Sequence, residues 1–185
     1  MKRHILAATA AAFLTGVALP ASAESVLTVG MAAADIGQLD PHRATTTQDK
    51  PVVSWMFNGL VRFKPGSSSL EELEPDLAES WDKSADGLTW TFKLRKGVKF
   101  HGDWGEMTAD DVVYSLKRAA DSKTSSFASD YAAVAAIEAV DPSTVKIVLK
   151  QPIPALLGIV ANYHGGNIVS KKAAEWALKD AGGKP

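Results

Sequence analysis

Between Leu88 and Arg95 apolar and polar side chains alternate without a break: Leu88, Trp90, Phe92 and Leu94 against Thr89, Thr91, Lys93 and Arg95. A period of two fits a strand with one face buried and the other in water. Arg95-Lys96-Gly97 supplies a turn with glycine, and Val98 and Phe100 resume the alternation around Lys99. The sequence therefore predicts a β-hairpin with one oily and one cationic face. Thr108 then opens a helix, with Asp111 at the spacing of a capping box. Val112, Val113, Leu116 and Ala120 fall along one side of it, and Lys117-Arg118 stand near the negative end of its dipole. Ribbon and helix lie so close in sequence that Trp90, Phe92, Val112 and Leu116 are expected to share one interior.

The remaining elements read less sharply. Val26 to Gly30 suggests a buried first strand, and Asp40-Pro41 interrupts any helix in the turn-rich segment around it. From Pro51, apolar residues recur at Val52, Val53, Met56 and Phe57, predicting a short helix with one oily face. Leu60 to Phe63 reads as a short strand, and Glu71 to Trp81 as an extended stretch followed by a helical turn burying Leu77 and Trp81. Val134, Ile137 and Val140 fit either a helix face or a strand edge. Thr144 to Lys150 alternates as a strand. Ala155 to Asn162 reads as an apolar helix, Ile168-Val169 as a short strand and Lys171 to Asp180 as a polar helix. No repeat is present, which argues against solenoid architectures.

The first 23 residues have the layout of an export signal: Lys2-Arg3-His4, an apolar run from Ile5 to Leu19, and the small-residue site Ala21-Ser22-Ala23. Cleavage is expected after Ala23. The apolar run is short for a membrane span of about 20 residues, so the chain is not expected to be membrane-spanning. A complete lack of cysteine excludes disulfides, thiolate metal sites, a cysteine nucleophile and a lipidated cysteine. Export without crosslinks or a lipid anchor points to a periplasm. The net charge of −1 gives no reason to expect nucleic acid or a membrane surface as partner.

Candidate chemistry is sparse. His101, Asp103, Glu106, Asp110 and Asp111 invite a metal reading, but Asp110 and Asp111 are already explained as first-turn helix acids. His42 and His164 stand apart from any nucleophile, and no Gly-x-Ser-x-Gly elbow, P-loop or dinucleotide fingerprint occurs. Lys93, Arg95, Lys96 and Lys99 alternate out of phase with Trp90 and Phe92, so they form a solvated face and not a stacking platform for single strands. No metal, cofactor or catalytic residue is assigned, and the chain is not expected to be an enzyme.

Three ordered blocks carry a family resemblance: Glu74-Pro75-Asp76-Leu77-Ala78-Glu79-Ser80-Trp81, Gly87 to His101, and Thr108-Ala109-Asp110-Asp111-Val112-Val113-Tyr114-Ser115-Leu116-Lys117-Arg118. Together they resemble the peptide/nickel-type solute-binding proteins of ABC importers, family 5. The resemblance implies an α/β fold with mixed sheets, forming part of lobe I of a two-lobed, periplasmic binding protein-like II architecture. Residues 1–23 would be the signal peptide, 24–57 the start of the lobe I main domain and 58–185 its additional subdomain. The second lobe is absent, so the chain is expected to be a truncated, N-terminal piece that binds weakly by itself, because a polar solute needs both walls of the cleft.

The same resemblance implies a peptide or similar small solute as ligand and inner-membrane ABC permease subunits as partners. It places Thr45, Thr46 and Thr47, just beyond Leu39-Asp40-Pro41-His42, and Phe127, after the long helix, against the ligand. Oligopeptide binders carry an acid near the first of these positions and a tyrosine at the last, so Thr45 and Phe127 speak against a long peptide. A nickel complex, an opine or an oligosaccharide are alternative ligands. Presentation of ligand to a chemoreceptor and periplasmic chaperoning are alternative roles.

Overall fold

The computed structural model describes residues 26–30 and 35–180. The signal segment lies outside the described residues. The chain divides into two units, residues 1–31 and 32–185. In the first, Val26 to Gly30 is neither strand nor buried, with Leu27 87% exposed. The expected first strand is therefore not formed; among the described residues no strand pairs with this run, and an unpaired strand has no hydrogen-bond ladder to hold it.

In the second unit the elements run α1 (Asp49–Met56), β1 (Val61–Phe63), β2 (Leu73–Pro75), β3 (Ala78–Lys83), β4 (Thr89–Leu94), α2 (Ala109–Ala120), β5 (Val134–Asp141), β6 (Thr144–Leu149), α3 (Leu156–Ile159) and α4 (Lys171–Asp180). Strands β1 and β2 form an antiparallel pair, and the other four make an antiparallel sheet in the order β3-β4-β6-β5. The chain thus mixes sheets and helices, as the fold class required.

Strand β4 alternates as read, but its partners differ from expectation. Its two edges are taken by β3 and β6: Phe92 stands opposite Trp81 on one side and Val145 on the other, and Trp90 opposite Lys83 and Ile147. The segment after Gly97 turns away instead of folding back on β4. It closes on itself, with the Met107 N–H donating to the Val98 carbonyl at 2.8 Å and the Phe100 N–H to that of Gly105 at 2.9 Å. The predicted hairpin partner was wrong because a half-buried strand tells which face it buries and not which neighbour it bonds. The helical turn ending at Trp81 is corrected for the same reason. Ala78–Lys83 is an edge strand, and Trp81 lies half-buried in it. Its charged Glu79, Asp82 and Lys83 discourage further strand addition.

Helix α2 covers one face of the sheet. Ala109, Val112, Ser115, Leu116 and Ala119 are its buried residues. Trp90, Phe92, Val112 and Leu116 belong to one core cluster with Leu94, Ile137, Val145 and Ile147. Val113 lies at the margin and Ala120 is exposed, so the buried stripe is rotated slightly from the one drawn on the sequence. The capping box is present: the Thr108 N–H donates to Asp111 Oδ2 at 2.9 Å, and the Thr108 hydroxyl to the same oxygen at 3.0 Å.

Two further segments hold the candidate site from behind. Ile168-Val169 is buried or nearly so, yet it forms no strand. Its N–H groups go to the Asn58 carbonyl at 2.8 Å and to Ser115 Oγ at 2.9 Å, single acceptors that replace a ladder. Gly59 crosses directly over the 160–162 backbone, where a Cβ would fall 2.6 Å from the Asn162 nitrogen. Only glycine permits that approach, and it lets the Leu60 N–H reach the Val160 carbonyl at 3.1 Å.

Candidate ligand-binding wall

The wall starts at Asp40-Pro41, where the chain turns so tightly that one residue accepts from three backbone N–H groups. The Asp40 carbonyl accepts from the N–H groups of Arg43 and Ala44 at 3.0 and 2.9 Å, and its Oδ1 accepts from that of His42 at 3.0 Å. Arg118, in the last turn of α2, reaches across and grips the same carboxylate with both Nη atoms, Nη1 to Oδ1 at 2.8 Å. Such a two-pronged contact fixes orientation as well as distance.

His42 completes this clamp. It is wholly buried, with Nε2 3.0 Å from the Asn167 carbonyl and Nδ1 2.6 Å from Arg118 Nη1. A carbonyl only accepts and a guanidinium only donates, so these partners assign the proton to Nε2 and the lone pair to Nδ1. Burial first, and then the adjacent Arg118 charge, lower the imidazole from its ordinary value to about 4, against the raising influence of Asn167 and Asp40. Burial pushes the Asp40 carboxyl upward, but the Arg118 hydrogen bond and charge, aided by His42, hold it below the ordinary carboxylate value. His42 is thus a neutral structural residue, which answers the question its isolation in sequence raised.

From the clamp the loop is tied to the segment following α2. Arg43 Nη2 donates to the Lys123 carbonyl at 3.0 Å and its Nε to that of Thr124 at 3.4 Å, while the Ser126 N–H donates to the His42 carbonyl at 2.9 Å. These bonds tie the residues before the threonine loop, His42 and Arg43, to the segment that leads into Phe127, a link about which sequence distance says nothing. The three threonines are exposed. Thr46 Oγ1 accepts from the Asp49 N–H at 3.2 Å at the start of α1, and the Thr47 hydroxyl donates to Gln48 Oε1 at 3.4 Å.

Phe127 is only 7% exposed. Gly165 presses against it so closely that a Cβ there would sit 2.8 Å from Phe127 Cδ2. His164 meets the Phe127 ring edge-on at 6.4 Å and the Tyr163 ring at 5.4 Å. Lys50 Nζ lies over both aromatics, 4.5 Å from the Tyr163 centroid and 5.5 Å from that of Phe127. Lys50, Tyr163 and His164 were missed as a group. In the sequence His164 reads as an isolated histidine, and nothing there links it to Phe127 or α1.

The other candidates stay apart. No group of His, Asp and Glu suited to a metal ion occurs among the described residues. Glu106 is engaged by the Gly97 N–H at 2.7 Å, and Asp111 by its cap and the Lys171 N–H at 2.9 Å. A separate cavity of about 720 Å³ opens between α1, the 98–107 segment and α4, lined among others by Trp55, Met56, Phe100, Trp104 and Ala173. It touches Asp40 and Arg118 from the far side but contains neither the threonines nor Phe127.

Comparison with known proteins adds the family context. The profile described as bacterial extracellular solute-binding proteins, family 5 Middle, matches residues 72–184. The glutathione-binding protein GsiB of Escherichia coli O1:K1 / APEC is 37% identical over 166 residues, covering 89% of this chain and 31% of that protein. Among solved structures, MoaA from A. tumefacien R10 in complex with mannopinic acid superposes with a TM-score of 0.76 at 51% identity, over 79% of this chain and 30% of that one. The periplasmic binding protein DppA of Helicobacter pylori, in complex with the peptide STSA, gives 0.69 at 30% identity, over 81% and 32%. The chain spans about a third of the length of these relatives.

Proposed function

The chain belongs to the bacterial extracellular solute-binding proteins of family 5, and from that premise we propose that it forms part of the first lobe of a receptor that captures a small solute and passes it to an ABC permease. Residues 24–57 open the main domain of that lobe and 58–185 form its additional subdomain, with residues 1–23 removed on export to the periplasm. No helix among the described residues is long and apolar enough to cross a membrane, in keeping with that reading. Thr45, Thr46, Thr47 and Phe127 supply this lobe's contacts to the ligand.

The observation that carries the proposal is the stapling of two distant segments. The threonine loop belongs to the segment assigned to the main domain and Phe127 to the subdomain, yet Arg43 and the His42 carbonyl tie the residues beside them together. Exposed hydroxyls and an aromatic carried on segments tied by directed bonds suit a polar solute that must be both oriented and desolvated. The uncovered Trp55, at 64% exposure, and the apolar cavity beside it fit packing against the remainder of a two-lobed fold.

Two ligand classes compete. GsiB and DppA are named for or solved with peptides, whereas the 51% identity to a mannopinic acid complex favours an opine-type acid. Calorimetric titration of the full-length exported protein with mannopinic acid, glutathione and short peptides tests the receptor reading. Binding at micromolar or tighter affinity is expected, with the ligand recovered intact by mass spectrometry. Failure of every probe to bind, or recovery of converted ligand, would overturn it.

A further inference from the structure

Lys50 has a position that ion pairing does not explain. It lies in the first turn of α1, the end of a helix where a cation is electrostatically unfavourable, and it makes no ion pair among the described residues. Its ammonium is held over the rings of Tyr163 and Phe127 at 4.5 and 5.5 Å. Ring faces attract a cation without neutralising its formal charge, so the lysine is ordered but still able to receive an anion. Asp130, the acid that meets this cluster, lies with Oδ2 3.9 Å from His164 Nδ1 and forms no ion pair with Lys50. Thr46 and Thr47 precede Lys50 by four and three residues, so hydroxyl donors and the ammonium share one end of α1.

We propose that Lys50, held over Tyr163 and Phe127, is the anion-binding residue of this wall, and that the ligand presents a carboxylate to it. This rests on the receptor reading above and narrows it to acidic solutes whose carboxylate lies on the side of this lobe. The aromatic pair has a defined task here: it fixes a flexible side chain before the ligand arrives, so less freedom is lost on binding. Tyr163 is then a positioning residue acting through Lys50.

The test uses the full-length exported protein, with mannopinic acid and glutathione as probes. Lys50→Met keeps the stem and removes the charge; it should weaken binding by roughly 10- to 100-fold, the range expected for loss of a charged hydrogen bond. Lys50→Arg should stay within a few-fold of wild type. Tyr163→Leu should weaken binding less than Lys50→Met and have no effect once Lys50 is already methionine, a coupling that a merely structural tyrosine would not produce. Wild-type affinity should fall as salt rises, and that dependence should be shallower in Lys50→Met. Wild-type-like affinity and salt dependence in Lys50→Met would overturn this inference while leaving the receptor reading intact. Absence of binding by wild type would overturn the receptor reading and this inference with it.

Discussion

The sheet covered by α2 and the ligand-binding wall are held together by different physics. In the first, Phe92, Leu116, Val145 and Ile147 are almost entirely excluded from water, and their cohesion is non-directional apolar burial. In the second, the order comes from directed bonds among Asp40, His42, Arg43, Arg118 and Asn167. The core tolerates changes of shape that keep its volume, while the wall depends on the chemistry of single atoms. The first region supplies the apolar burial, and the second decides where exposed groups stand.

Substitutions can break that contrast. Phe92→Ala removes a fully buried ring at the centre of the sheet and should destabilise by about 3–5 kcal/mol, read by urea unfolding. Phe92→Leu, which keeps much of the volume, should recover most of it. If the alanine variant lost less than an exposed-site change does, the core as described would be wrong.

Arg118→Met tests the wall at its strongest point. It leaves the Asp40 carboxylate and the His42 lone pair without their shared donor. Because Arg118 and Asp40 are 15% and 24% exposed, the loss should be about 2–3 kcal/mol, below that of a fully buried pair. Here, unlike in the core, a volume-conserving replacement should not help.

Acid should loosen the wall before the core. The imidazole of His42 is lowered to about 4 in the folded chain against an ordinary 6.5. Between those values the unfolded chain binds the proton and the folded one does not, so stability is fully present above about 6.5 and declines as pH falls toward 4. The decline is about 3 kcal/mol in total, and His42→Gln should remove most of it. Thermal unfolding between pH 7 and pH 4 measures it; equal slopes in wild type and variant would refute the assignment of the clamp.

Gly165→Ala has a smaller expected effect with a sharper location. Gly165 has φ of +73° and faces the Phe127 ring, so an added methyl is both strained and too close. A loss of about 1–2 kcal/mol is expected, together with weaker ligand binding through displacement of Phe127. Smallest of all, Arg62→Ala breaks an exposed ion pair with Glu74 and should change stability by less than about 1 kcal/mol in a urea titration.

Much of the fold was legible because it was written locally. The alternation in Thr89–Leu94 and Thr144–Leu149 and the Thr108–Asp111 cap each depend on neighbours in sequence. Strand partners were not legible: β4 bonds to β3 and β6, and Val134–Asp141 resolved as a strand only by pairing with β6. The candidate site divides in the same way. Thr45, Thr46, Thr47 and Phe127 came from family likeness, whereas Lys50, Tyr163 and His164 emerged only when the segments were brought together.

By itself the sequence determined which faces are oily, where helix α2 begins and that the chain carries the ordered blocks of its family. These follow from residue spacing, which every local segment records. Only the tertiary structure decided that His42 is a buried neutral bolt, that Arg118 reaches Asp40 and that Lys50 rests on two rings. Those facts depend on groups separated by many residues, where burial and direction, and not periodicity, set the outcome.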